Sequence, residues 1–198
     1  MLRFNLKLPV AQSIAKLVYT IHGSGQIDVA VTINPKGKWV PMLPRIGMQC
    51  AIPSTHTKLS WFGRGPDESY IDRHAGTWVG NHSGRIRKLF NHYLDPQESG
   101  NRTAVRWARF HGDRGHGLRV ESLGDHLLQV SAYPYTPREI ELARHPIDLR
   151  PAAANTINID LGQLGLGGTN SWGAIALPDY RLPSSKSYSY SFRLTPRL

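Results

Sequence analysis

Apolar and polar residues alternate with a period of two along much of this chain, the signature of half-buried strands. The run Ile27-Asp-Val-Ala-Val-Thr-Ile33 alternates and is rich in β-branched residues, so it predicts a strand. Asn34-Pro-Lys-Gly37 after it predicts a turn. Further strands are predicted at Ile46–Ile52, Leu59–Phe62, Thr103–Phe110, Gly117–Leu123, Leu127–Tyr133, Asn155–Asp160 and Tyr188–Leu194. In Thr103–Phe110 the pattern puts Val105, Trp107 and Arg109 on one face, with Arg106 and Ala108 on the other. In the last run Tyr188, Tyr190, Phe192 and Leu194 share the core face. Residues 1–16 carry no clear period. Short strands at roughly 8–12-residue spacing, with turn residues between, predict an all-β antiparallel sandwich.

One helix interrupts the strands. Thr136-Pro-Arg-Glu139 offers an N-cap hydroxyl, proline at the first helical position and glutamate three residues after the cap. The helix runs through Ile140, Leu142 and Ala143, and Pro146 stops it. It is a short connector.

The densest glycine stretch is Leu161–Gly173, with glycines at 162, 165, 167, 168 and 173. Such density means a backbone that needs positive φ or close approach. A dinucleotide fingerprint does not fit, because position 170 is Asn and Ala174–Pro178 is too short and β-like for the helix that must follow. A phosphate loop would need Gly-Lys-Ser/Thr, which is absent. Trp172 ends the stretch among small residues. Its indole is either a plug over the core or a platform for the flat apolar face of a sugar ring.

Composition narrows the classes. The 198 residues suit one domain with a substantial core. No apolar run approaches a membrane span, and Met1–Val10 lacks the apolar core of a signal peptide, so a bacterial cytoplasmic protein without membrane attachment is expected. The single cysteine, Cys50, lies in an apolar segment and is expected to pack in the core. Net charge is +10, yet the arginines are scattered among Asp and Glu without a basic block. That pattern favours a solvated basic surface over a nucleic-acid-binding domain, which stays as a lesser alternative.

Little in the chain nominates a catalytic group. Glycoside hydrolysis needs a pair of carboxylates about the scissile bond. Glu139 is a helix cap here, and Glu68 and Arg73 are expected to hold a turn by hydrogen bonds. His74, His82 and His92 are too loosely spaced for a zinc site, and His111 and His116 flank a loop. No metal ligand is assigned.

The glycine stretch also carries a resemblance. Gln163-Leu-Gly-Leu-Gly-Gly-Thr-Asn-Ser-Trp172-Gly resembles the Gly-Gly-Asp-x-Ser-Trp segment of the small-chain domain of family-two β-galactosidases. Tyr19–Gly25, Leu43–Met48, Trp61–Arg73, Pro96–Arg102 and Tyr188–Arg193 match in the same order. The resemblance divides the chain into an unmatched segment, 1–17, and a small-chain domain, 18–198, truncated at its N-terminal side. It implies a β-supersandwich of galactose mutarotase-like fold. No pair of residues here nominates the acid and base of a mutarotase.

The resemblance further implies a part of a β-galactosidase that lacks the two catalytic glutamates. Those belong to the barrel domain, as do the Mg and Na of the family enzyme. No cofactor is expected in this chain, and the chain alone is expected to be inactive. Trp172 aligns with the tryptophan that stacks on the aglycone sugar, and Asn170 and Ser171 either hydrogen-bond nearby or shape the turn. Thr169 stands where Asp is usual, which weakens any role for negative charge there. Expected partners are a β-galactoside such as lactose and the large chain or barrel, in a homo- or hetero-oligomer. A stand-alone carbohydrate-binding module is the alternative.

Overall fold

The computed structural model describes residues 1–9, 12–35, 42–168, 170 and 172–197. The turn expected at 34–37 and the readings of Thr169 and Ser171 lie wholly or partly outside the described residues. The chain is an all-β antiparallel sandwich, as its alternation predicts. The large sheet contains β1 (Leu2–Lys7), β2 (Ile14–Ile21), β3 (Ile27–Asn34), β5 (Lys58–Gly65), β6 (Trp78–Arg85), β8 (Trp107–His111), β9 (Gly117–Leu123) and β12 (Tyr188–Arg197). Its order is β1-β2-β3-β12-β9-β8-β5-β6. The small sheet contains β4 (Arg45–Pro53), β7 (Arg102–Val105), β10 (Leu128–Tyr133) and β11 (Ala154–Gln163), in the order β4-β11-β10-β7.

The core lies between the sheets. Val29 and Val31 of β3 sit opposite Phe192 and Tyr190 of β12, so their alternating apolar positions meet on one face. Leu59, Trp61, Phe110 and Val120 extend that face, and Ile157, Ile159, Leu128 and Val130 answer from the small sheet. Trp61 stays buried without stranding its indole N–H, which donates to the Arg64 carbonyl at 2.9 Å. Gly63 is required by packing: a Cβ there would lie 2.9 Å from the Val105 Cα.

Every residue of β10 is buried, because the small sheet is covered on both faces. On its outer face Phe90, Tyr133, Tyr135, Ile140 and Leu149 form a second cluster. Ile140 comes from the helix α2 (Pro137–Leu142), whose capping box forms as predicted: Thr136 Oγ1 accepts from the Glu139 N–H, and the Glu139 carboxylate accepts from the Thr136 N–H. Thr136→Ala is expected to cost about 1 kcal/mol. Urea unfolding checks this, and a change under 0.2 kcal/mol (roughly the gain of a single exposed pair) contradicts it.

Five sequence readings are corrected. Thr103–Phe110 is not one strand. Ala104 takes φ +53°, and the chain passes from β7 in the small sheet to β8 in the large one. The phase slips at this crossing, so Ala108 joins Val105 in the core while Trp107 turns outward beneath Arg119, 4.6 Å from its ring. Residues 1–16 do form strands. Leu2, Phe4 and Leu6 of β1 sit opposite Tyr19, Leu17 and Ala15 of β2, on the core side. Cys50 is exposed, because β4 is an edge strand of the smaller sheet. A four-residue helix, α1 (Ile86–Leu89), and the strand β6 were not foreseen, since glycines and polar residues dilute β6. Finally, β5 continues through Gly63 to Gly65 rather than turning there. No helix among the described residues is long and apolar enough to cross a membrane.

Candidate functional site

The glycine-rich stretch leaves the end of β11 and returns through a 3-10 turn, Pro178–Tyr180. Its base is fastened at several points. The Leu164 N–H donates to the Pro44 carbonyl at 2.9 Å, and the Gly165 N–H to the Tyr180 carbonyl at 2.8 Å. The Gly167 N–H donates to Asp72 Oδ2 at 2.8 Å. Gly167 has φ +72°, and a Cβ there would stand 2.5 Å from the Ala174 carbonyl oxygen, so both torsion and space demand glycine.

Trp172 lies at the outer end and is 91% exposed. That excludes the core-plug reading: the indole points into solvent. Asn170 shapes the turn that carries it, because Asn170 Oδ1 accepts from the Trp172 N–H at 2.9 Å and from the Ala174 N–H at 3.3 Å. Trp172 and Asn170 are therefore together, as their spacing requires.

Beside the loop base lies a cavity of about 580 Å³, lined among others by Asp67, Glu68, Asp72, Arg73, His74 and Tyr180. Two of its carboxylates, Glu68 and Asp72, are occupied by structural work. Glu68 receives the Gly100 N–H at 2.7 Å, the Tyr70 hydroxyl at 3.4 Å, and close contacts from Arg73 and Tyr93. Burial opposes ionisation of Glu68, yet these donors leave its carboxyl below the usual range. The expected Glu68–Arg73 turn is present. Asp72 anchors the loop through Oδ2, while its buried Oδ1 has no partner among the described residues. The sequence reading missed Asp72 as the loop's anchor and Tyr180 as its wall. Asp72 lay inside the Trp61–Arg73 motif, but only the fold brings it to residue 167.

Deeper under the small sheet, polar groups form a connected network. Asn158 Oδ1 accepts from Arg45 at 3.0 Å and from Gln49 at 2.8 Å, and its amide donates to Ser131 at 2.8 Å. Arg45 also pairs with Glu98 and lies 3.5 Å from Asp160. Asp160, fully buried, accepts from Gln163 at 3.0 Å, and burial pushes its carboxyl up to about 7 against the pull of Arg45. Histidines serve locally: His22 meets Asp28 at 2.9 Å, and His111 meets Ser60 at 3.1 Å. Among the described residues no three His, Cys, Asp or Glu are grouped to hold a metal ion.

The sequence matches the beta galactosidase small chain family over residues 2–194, so the match begins upstream of residue 18. It is 34% identical over 194 residues to the beta-galactosidase of Priestia megaterium, covering 97% of this chain and 18% of that protein. It is 36% identical over 182 residues to that of Streptococcus thermophilus, covering 91% and 17%. With the beta-galactosidase of Lactobacillus delbrueckii subsp. bulgaricus it shares 34% over 192 residues, covering 96% and 19%. The chain thus spans less than one fifth of the length of these relatives. Over nearly all of its own length it belongs to the beta-galactosidase small-chain family.

Proposed function

We propose that this chain completes the sugar site of a β-galactosidase, with Trp172 as its contact to substrate and the catalytic carboxylates supplied by the rest of the enzyme. The observation that carries this reading is the indole itself: a large aromatic, 91% exposed, on a loop whose base is pinned. A pyranose C–H face fits an exposed indole, which covers it at small entropic cost. The apolar shelf of Leu2, Phe4 and Leu6, about half exposed on edge strand β1, supports a chain that works joined to another part.

In this role the chain binds and orients. Asp72 and Gly167 fix the loop, Asn170 sets the angle of Trp172, and the indole excludes water from one sugar face. Hydrolysis of a chromogenic β-galactoside tests this, with the chain alone and mixed with a fragment carrying the remaining β-galactosidase sequence. Activity is expected only in the mixture. Trp172→Ala should then raise KM about 10- to 100-fold, since burying such a side chain contributes roughly 1.5–3 kcal/mol. Activity from the chain alone contradicts the reading, and sugar binding without complementation moves it to a stand-alone binding module.

A further inference from the structure

The outer face of the large sheet carries an arrangement the sugar site does not use. In the antiparallel ladders, Lys58 of β5 lies directly opposite Arg85 of β6 on one side and His111 of β8 on the other. One row along, Ser60 lies opposite Ser83 and Arg109, and Arg109 lies opposite Arg119 of β9. Directly opposed residues share a face. This face points away from the core, because the intervening Leu59, Trp61, Ala108 and Phe110 are buried.

Two like-charged cross-strand pairs, Lys58–Arg85 and Arg109–Arg119, thus stand on neighbouring rows. Such opposition is destabilising unless something offsets it. The offsets present are partial. Lys58 reaches the exposed Asp113 at 2.9 Å, and Arg119 reaches Glu121 at 2.8 Å. Arg85 forms no direct ion pair with a described residue, although the Asp113 carboxylate is close enough to feel its charge and that of His111. Arg109 donates to the Gly115 carbonyl at 2.6 Å, and its buried Nε has no acceptor among the described residues. At the first pair, Lys58–Arg85, is a hollow of about 290 Å³ lined by Lys58, Ser60, Ser83, Gly84, Arg85 and His111. Its donors are an ammonium, a guanidinium and hydroxyls, and Ser60 and His111, hydrogen-bonded to each other, are among its lining. No carboxylate lines the hollow, so it suits a group that only accepts; the exposed Asp113 on Lys58 lies beside it, and a bound anion replaces that carboxylate on the ammonium.

We propose that this hollow binds a tetrahedral oxyanion, a phosphate or sulfate group, between Lys58 and Arg85 with the Ser83 hydroxyl as third donor. Two charge-assisted hydrogen bonds hold the group and relieve the cross-strand repulsion at the same time. A solvated cationic patch predicts only general salt screening. A site predicts saturation at fixed ionic strength.

The experiment titrates the full chain with sodium phosphate, sodium sulfate and glycerol phosphate. Each is matched in ionic strength with sodium chloride, and thermal unfolding and calorimetry are followed. Saturable stabilisation by phosphate and sulfate beyond chloride is expected. Arg85→Gln should weaken it about tenfold or more, the value of one charge-assisted hydrogen bond. Arg85 is exposed, so the variant should fold, and at low ionic strength without phosphate it should unfold no lower than the wild type. Glycerol phosphate binding as well as phosphate assigns the site to a phosphate monoester, and its exclusion assigns the site to the free ion. Stabilisation no greater than chloride gives, or a full response retained in Arg85→Gln, overturns the proposal.

Discussion

Asp160→Asn is expected to abolish a pH-dependent loss of stability of about 2–4 kcal/mol between pH 4 and pH 7. Asp160 is fully buried, its Oδ2 is served by Gln163, and its Oδ1 has no donor among the described residues. That oxygen lies over Gly47, 1.7 Å from where a Cβ would stand. Burial dominates and raises the folded carboxyl to about 7, while Arg45 pulls it down. In the unfolded chain the group titrates near its ordinary 3.9. Between those values the folded protein holds a proton that the unfolded chain has released. The unfolded state binds fewer protons, so stability falls as pH rises through the window and is level on either side.

An amide removes the titration and keeps an acceptor for Gln163. Wild type and Asp160→Asn should therefore differ least near pH 4 and most near pH 8, with the variant gaining. Taking the difference between the two proteins cancels the other titrating groups. Parallel stability curves across pH 4–8 contradict a raised Asp160.

Glu68→Ala is expected to cost about 3–5 kcal/mol, because it strips a buried carboxylate from several donors at once. The Glu68–Arg73 pair alone would contribute little, since Arg73 is half exposed. The weight lies in the Gly100 N–H, the Tyr70 and Tyr93 hydroxyls, and buried Arg102. Burial lowers the Arg102 guanidinium to about 10, and the charge of Glu68 opposes that fall. Without Glu68, Arg102 is a buried cation resting on carbonyls and the face of Trp61. Glu68→Gln should fall between wild type and Ala in denaturant unfolding at pH 7. A loss below 1 kcal/mol for the alanine variant, smaller than a single buried hydrogen bond to a charge, contradicts this account. The turn held by Glu68 also carries Asp72, so the variant should loosen the Trp172 loop as well.

Strands whose buried and exposed faces differ were legible residue by residue. Tyr188, Tyr190, Phe192 and Leu194 sit on the core side as their alternation requires, and the cap at Thr136 formed as read. Other features depend on facts that no local pattern carries. The crossing between sheets at 104–106 turns on one backbone torsion at Ala104. Strand β1 is the exception: Leu2, Phe4, Leu6 and, just beyond it, Leu8 alternate with Arg3, Asn5 and Lys7, a period-two signal that the reading of residues 1–16 as aperiodic passes over. The polar residues of β11 look solvent-facing in sequence, yet Asn158 and Asp160 are buried because residues 45, 49 and 98 arrive over them.

The site divides in the same way. Trp172 and its glycines were visible as a stretch, while the choice between core plug and exposed platform needed the fold. Asp72, which pins the loop from 95 residues away, gave no sign of that contact in the sequence.

Trp172 is expected to touch the sugar only when the chain is joined to the remainder of a β-galactosidase. Saturation-transfer NMR tests it directly, by irradiating indole protons of the assembled enzyme in the presence of a non-hydrolysable β-galactoside and observing the sugar C–H protons. Transfer is expected in the assembly, absent from the isolated chain, and lost from the sugar in Trp172→Ala at ligand concentrations that restore occupancy. Transfer of equal strength in the Trp172→Ala assembly contradicts the account and places the indole elsewhere.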